Sequence, residues 1–169
     1  RDGKSLDLVI SSMGSFEDVW LVVCGQPAGG QQKPLSHYKT LALEMGVHNR
    51  CLWIEGYLPD EEVGNYFAAA DFVLLTYSKR FRSASGVLNL AVQFRKPCLA
   101  SSGSGPLQTQ VNRYKLGVWI NPDSLAEVLR GIELCLQGAQ LALWDEYEAD
   151  NSWDKNAALV IEHMSLLAS

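Results

Sequence analysis

"LALEMGVHNRCLWIEGYLPDEEVGNYFAAADFVLLTY", residues 41–77, sets helical spacing against short apolar runs. Leu41, Ala42 and Met45 continue a stripe begun at Tyr38, and Gly46 is placed to close that helix in a left-handed conformation. Cys51–Ile54 then reads as a strand. Val63, Tyr66, Phe67 and Ala70 return to helical spacing behind Asp60, a residue suited to cap a helix, and Phe72–Tyr77 reads as the next strand. This alternation is the signature of βαβ units and a parallel sheet.

The pattern extends in both directions. Upstream, Leu6, Val9, Ile10 and Met13 form a helical stripe ahead of a strand over Val19–Gly25. Downstream come a stripe of Val87, Leu90, Ala91 and Phe94, strands over Pro97–Ser101 and Gly117–Ile120, and a helix through Leu125, Val128, Leu129 and Ile132. That last helix opens on a Ser124-x-x-Glu127 capping box behind the turn Asn121-Pro122-Asp123. Most of the strands are continuous apolar runs, the pattern of strands covered on both faces. The stretch 25–34 (GQPAGGQQKP) is the one long flexible loop. After Gln137 two helical segments are expected, over 138–149 and 152–168, the second with Trp153, Ala157, Val160, Ile161 and Met164 on one face, packed across the sheet or a neighbouring domain.

The implied fold class is α/β: a doubly wound parallel sheet, Rossmann-like, with C-terminal helices, forming a single domain over 1–169. The chain enters a helix at once, whereas a doubly wound domain normally opens on a strand. The natural protein is therefore expected to extend further toward the N-terminus.

With 169 residues, 47% hydrophobic and 20% charged, the chain has the balance of a globular core-former. A net charge of -5 argues against nucleic acid or an anionic membrane as a bulk partner, so any anion site must be a local concentration of Lys and Arg. No apolar stretch approaches the roughly 20 residues that span a bilayer. Cys24, Cys51, Cys98 and Cys135 are widely spaced and read as buried free thiols of a protein in a reducing, cytoplasmic compartment. His37, His48 and His163 lack ligand spacing, and no metal site is expected. The carboxylates of 60–65 and 144–150 read as a dipole-complementing first turn and a solvated helix face.

The local concentration of charge is at 78–86 (SKRFRSASG), where a strand passes through a loop into a helix. Doubly wound sheets bind ligands at such points, outside the carboxyl ends of strands and against helix N-termini. Lys79, Arg80 and Arg82, with hydroxyls from Ser83 and Ser85 and the helix opening at Gly86, suit a phosphate or diphosphate. The plainer reading is a solvated basic loop in which Ser83 or Ser85 is an ordinary N-cap. Residues 101–106 (SSGSGP) follow the fourth strand and face the same cleft, or are flexible composition only.

In order and spacing, "KSLDLVIS", "VWLVVCGQP", the 41–77 stretch, "SASGVLNLAVQFRKPCLASSGSGPLQTQV" and "YKLGVWINPDSLAEVLRGIELCL" resemble the C-terminal, donor-binding domain of the retaining GT-B glycosyltransferases of group 1 (family 4 type). The resemblance runs from Lys4 to the Trp153 helix. It implies that Lys4 pairs with the donor diphosphate, with Ser5 where the family has Gly; that Gly25 closes a strand near the donor; that Gly56, Tyr57 and Leu58 lie against the nucleotide base; and that Ser83 to Gly86 cover the phosphates. The family's two glutamates, one for the donor sugar and one for the ribose, fall on Arg82 and Leu90. Losing such charge-assisted bonds weakens binding by ~1.5–3 kcal/mol each, while Arg82 adds a cation.

The function implied is transfer of a sugar, a hexosyltransferase reaction of glycan biosynthesis, from a nucleotide-diphospho-sugar donor to an acceptor held mostly by a missing N-terminal domain. No metal or other cofactor is implied, and this piece alone is not expected to turn over. Any membrane association would be peripheral and made through the full-length protein. Two alternatives stand beside it: a domain that has lost catalysis and serves as a binding or scaffolding module, and a GT-B nucleotide-sugar epimerase.

Overall fold

The structure, a computed structural model, describes residues 2–25, 33–138 and 141–167. Strands β1 (Leu21–Gly25), β2 (Cys51–Glu55), β3 (Val73–Thr76), β4 (Cys98–Ser101) and β5 (Gly117–Trp119) alternate with helices α1 (Leu6–Ser12), α2 (Leu35–Glu44), α3 (Asp60–Ala69), α4 (Gly86–Gln93), α5 (Pro106–Arg113) and α6 (Leu125–Leu136). Helices α7 (Trp144–Asp150) and α8 (Trp153–Leu167) follow. Each expected strand is present, shorter or longer by one or two residues. All strand pairs are parallel, as the alternation requires.

Among the described residues the strands form two sheets, β1-β2 and β3-β4-β5. One apolar cluster crosses both: Val9, Ile10 and Met13 of α1 share it with Leu21 of β1, Leu99 of β4, Ala42 of α2 and Val128 and Ile132 of α6. The other faces of β3 and β4 pack against α4 and α5 through Leu75, Leu88, Val92, Ala100, Leu107 and Val111. The far end of α1 is held by charge. Arg50, just ahead of β2, donates to the carbonyls of Met13 (3.1 Å), Val19 (2.9 Å) and Phe16, the first of which also accepts from the Phe16 amide. The strands that begin near Val19 and Arg50 therefore start at the C-terminal end of α1.

Several local expectations are revised. β1 and β2 are covered on one face only among the described residues, with Val22, Cys24 and Leu52 exposed, so Cys24 is not a buried thiol. Cys98 and Cys135 are pushed up to about 12, chiefly by burial, and remain protonated at neutral pH. The four cysteines are free. On α4 the core face is Leu88, Ala91 and Val92, with Val87 partly buried against the same cluster; Phe94, just past the helix, stacks on Phe67 of α3 with ring centroids 5.5 Å apart, and Leu90 is half-buried. Asp60 is the first residue of α3 and Pro59 stands at the cap. The capping box is present with one change: Ser124 accepts from the Glu127 amide, but the Glu127 carboxylate accepts from the Asn121 amide at 2.9 Å. Most of the 25–34 loop lies outside the described residues.

The helix expected over 138–149 begins only at Trp144, and 141–143 are non-helical. Helix α7 keeps Asp145, Glu146 and Glu148 on a solvated face and is also tied down by its polar groups. The Tyr147 hydroxyl donates to Asn89 of α4 (2.6 Å), Arg95 pairs with Asp145 (2.6 Å), and Asp150 gathers the Lys155 ammonium, the Tyr114 hydroxyl (2.7 Å) and Arg113 (2.9 Å). Three apolar residues of α8 are not laid on the sheet: Val160, Ile161 and Met164 are more than half exposed beside an open apolar groove lined by Asn156, Ala157, Val160 and Ile161. No helix among the described residues is long and apolar enough to cross a membrane.

Two predictions follow from this packing. Leu99→Ala empties a fully buried site and is expected to cost ~2–5 kcal/mol in urea unfolding, whereas Leu136→Ala, at an exposed position, stays within ~0.5 kcal/mol. The Asp150 carboxyl is held below its ordinary range by Lys155 first and then by the Tyr114 hydroxyl. A depressed carboxylate contributes stability above its unfolded pKa and loses it as pH falls through the folded value. Amide protection at the α7–α8 junction is thus expected to fall as pH drops below about 4, and Asp150→Asn to remove that acid dependence.

Candidate functional site

β3 ends at Thr76, and three segments distant in sequence close around the loop that follows it. The chain entering α1 comes first. The Ser78 amide donates to the Gly3 carbonyl at 2.8 Å, and the Thr76 hydroxyl donates to the Lys4 carbonyl at 3.1 Å. Ser5 then turns the chain into α1 in a left-handed conformation, φ 46° and ψ 33°. A glycine there would carry no strain; serine adopts it as a single residue, held by its buried position.

The β4–α5 loop is the second segment. The Tyr77 amide donates to the Ser101 carbonyl, the Ser101 hydroxyl donates back to the Tyr77 carbonyl, and the Gly103 amide donates to the Phe81 carbonyl, each at 2.9 Å. Residues 101–106 are thus not merely flexible: a methyl on Gly103 would sit 2.1 Å from the Lys79 carbonyl oxygen, and one on Gly105 2.6 Å from that of Arg82. Glycine is needed because two backbones touch. The third segment is the β5–α6 turn, where the Asp123 carboxylate accepts from the Lys79 amide at 3.1 Å.

Lys4, Lys79, Arg80 and Arg82 are all exposed around this closure. Among the described residues none of them has a carboxylate within ion-pair distance, whereas Arg95, Arg113 and Arg130 are each paired. Neighbouring cations left unpaired raise the local potential and favour an anion. Helix α4 adds its positive end: Leu88 donates to the Ser85 carbonyl, but the Gly86 and Val87 amides have no acceptor among the described residues. Ser83 and Gly86 are exposed there. Ser85 is not. Its hydroxyl is buried 3.0 Å from the Tyr77 hydroxyl, so it is neither an open phosphate donor nor a side-chain cap.

Gly25 (φ 117°) and Gly56 (φ 102°) turn the chain at the carboxyl ends of β1 and β2, and Tyr57 beside them is 81% exposed with Leu58 half-buried. No hydrogen bond among the described residues joins this group to the Lys4–Arg82 group. The two are nonetheless on one side of the molecule, since α1 starts at the end of β3 and finishes where β1 and β2 begin. The charge and position of the 78–86 loop pointed to Lys79, Arg80, Arg82, Ser83, Ser85 and Gly86, and the family resemblance to Lys4; neither pointed to Thr76, Tyr77 or Asp123. A tyrosine ending an apolar strand reads as core, and an aspartate in a turn reads as turn chemistry. Among the described residues no group of three or more His, Cys, Asp or Glu could hold a metal ion.

Gly103→Ala is expected to push the Lys79–Arg82 backbone aside and to cost ~1–3 kcal/mol in urea unfolding, with faster exchange of the 103 amide. Ser104→Ala next door, exposed, stays within ~0.5 kcal/mol.

Comparison with curated proteins by sequence finds no significant match. Among solved structures, the chain superposes on WaaG, a glycosyltransferase of lipopolysaccharide biosynthesis, with a TM-score of 0.64 at 23% identity over 89% of this chain and 40% of that one. It superposes on HepE from Anabaena in complex with UDP at 0.74 and 18% identity, over 98% and 46%. Sucrose-phosphate synthase from Thermosynechococcus elongatus gives 0.74 and 19%, over 100% and 44%. The chain therefore spans less than half the length of these structures and shares their α/β fold. The model of the "Glycosyl transferases group 1" family matches residues 1–167, and by that match the chain belongs to the group 1 glycosyltransferases.

Proposed function

We propose that the chain is the donor-binding half of a glycosyltransferase that moves a sugar from a nucleotide-diphospho-sugar to an acceptor. The observation that carries the reading is the convergence at the end of β3: the α1 entry and the basic loop are hydrogen-bonded together, and among the described residues four cations around them lack carboxylate partners and the first amides of α4 have no acceptor. In this reading Lys4, Arg82, Ser83 and the Gly86 amide hold the diphosphate, and Gly25, Gly56, Tyr57 and Leu58 lie along the nucleotide. As the glycosidic bond to the donor breaks, negative charge grows on the leaving diphosphate. Fixed cations and amides that already face it stabilise that charge without reorganising, and the proposed transfer needs no metal. HepE crystals hold UDP or UDP-glucose, which supports a nucleotide-sugar as the donor.

The reading includes a second, N-terminal half that carries the acceptor site, residues 1–169 forming the C-terminal domain of a cytoplasmic protein. The exposed apolar residues of α8 and of the β1–β2 sheet support a further partner surface. So does the break in the sheet. Among the described residues β1 and β3 each pair on one side only while α1 packs on both sheets, and a strand laid between them would give the order of a doubly wound sheet.

One specific observation favours a second reading, a domain that has lost catalysis and binds a partner: Arg82 and Leu90 stand where the family places its donor-sugar and ribose carboxylates, and Leu90 is half-buried beside an apolar helix face. Titration calorimetry of the chain with UDP and GDP separates outcomes at the level of binding. Uptake of a nucleoside diphosphate, weakened roughly ten- to hundredfold by Lys4→Ala or Arg82→Ala, is expected from the loss of one charge-assisted bond. No heat at millimolar nucleotide would overturn the donor-site reading. In the full-length protein the same substitutions are expected to collapse sugar transfer; unchanged transfer, or none in the native protein, favours the binding module.

A further inference from the structure

Two helices of this chain open on a serine with nearly the same backbone. Ser124, at φ −132° and ψ 121°, accepts from the Glu127 amide and caps α6. Ser85, at φ −117° and ψ 120°, stands identically before α4, yet its side chain makes no capping bond. The difference is a neighbour. The Tyr77 hydroxyl lies 3.0 Å from the Ser85 hydroxyl, both groups are buried, and Tyr77 is itself fixed by its stack on Phe81, with ring centroids 4.0 Å apart, and by its two backbone bonds to Ser101. A serine in this conformation ordinarily bonds the amide two or three residues on; the third, Leu88, already donates to the Ser85 carbonyl at 3.1 Å, which leaves that of Val87.

We infer that Tyr77 is a positioning residue: its hydroxyl holds the Ser85 side chain away from α4 and so leaves the Val87 amide free, beside that of Gly86, for the diphosphate of the donor. The inference rests on the donor-site reading above. Ser85 as a cap would place its own oxygen where a phosphate oxygen must go, and ligand would have to displace it. Held by Tyr77, it keeps its hydroxyl satisfied without competing. Neither residue touches the ligand in this arrangement, since both hydroxyls are engaged with each other below the surface.

Tyr77→Phe keeps the ring and its stack on Phe81 while releasing Ser85. Hydrogen exchange of the chain without ligand is read first. The Val87 amide is expected to exchange quickly in the native chain, about fivefold more slowly in Tyr77→Phe as Ser85 caps the helix, and quickly again in Tyr77→Phe/Ser85→Ala. UDP affinity by calorimetry is expected to move in parallel, falling about fivefold in Tyr77→Phe and recovering in the double variant. Val87 exchange unchanged by Tyr77→Phe overturns the inference whatever UDP does, and slowed exchange with unchanged UDP affinity overturns it too. If the exchange switch is present and the native chain takes up no UDP, the hold of Tyr77 on Ser85 is upheld and the donor-site reading alone falls. Should Tyr77→Phe fail to fold, Ser85→Ala alone carries the test: unchanged Val87 exchange and UDP affinity uphold the inference, and faster exchange or a loss of affinity, the mark of a Ser85 that itself caps the helix or touches the ligand, overturns it.

Discussion

Helix α1 is the element on which the remaining structure depends. Among the described residues β1-β2 and β3-β4-β5 share no ladder hydrogen bond, so what makes them one body is burial: Val9, Ile10 and Met13 sit in a single apolar cluster with Leu21 of one sheet and Leu99 of the other. Each such side chain contributes roughly 1.5–3 kcal/mol when buried, and together they outweigh any single polar contact of the helix. The polar contacts set its position along the strands. Arg50 fastens its C-terminal carbonyls to the starts of β1 and β2, while Gly3 and Lys4 fasten its entry to the end of β3. A short helix pinned at both ends fixes which ends of the strands face the same way.

That geometry explains why charge collects where it does. The carboxyl ends of the strands are the one side of the molecule where helix N-termini, turn glycines and the chain entry to α1 meet. Placing Lys4, Lys79, Arg80 and Arg82 there without carboxylate partners is unfavourable by mutual repulsion, and an exposed site keeps the cost low by screening. An anion relieves it. Elsewhere some of the described cations with carboxylate neighbours join helices, as the Asp150 group joins α5, α7 and α8. The cluster of four unpaired cations at one strand end, among the described residues, is the observation on which the proposed donor site rests, in a chain that belongs to the group 1 glycosyltransferases.

Most of the fold was legible because it is written in local periodicity. The five strands and the stripe of α1 appear in the sequence as apolar spacing, and Ser124 with Glu127 as a capping pair. The failures are also physical. The α4 stripe was misplaced because the helix has two apolar neighbours, so its spacing supports two faces and only packing chooses between them. Segment 138–149 looked helical throughout, but the Leu143 amide is taken by the Tyr114 carbonyl at 2.8 Å, a tertiary bond that competes with continuing a helix. Ser5 and Arg95 hold left-handed conformations that their residue types do not advertise.

Residue types and their spacing by themselves determined the order of strands and helices, the parallel pairing and the loop at which positive charge accumulates, since each is decided over a few turns of chain. Only the tertiary structure decided which groups at that loop are free. Thr76 meets Lys4 across 72 residues, Gly103 and Gly105 meet the backbone of the basic loop, and the Ser85 hydroxyl is claimed by Tyr77. A serine ahead of a helix carries the same local signal whether it caps or not; the partner that diverts it is recruited by closing the chain, and closure is a property of the packed sheet and helices rather than of any short stretch.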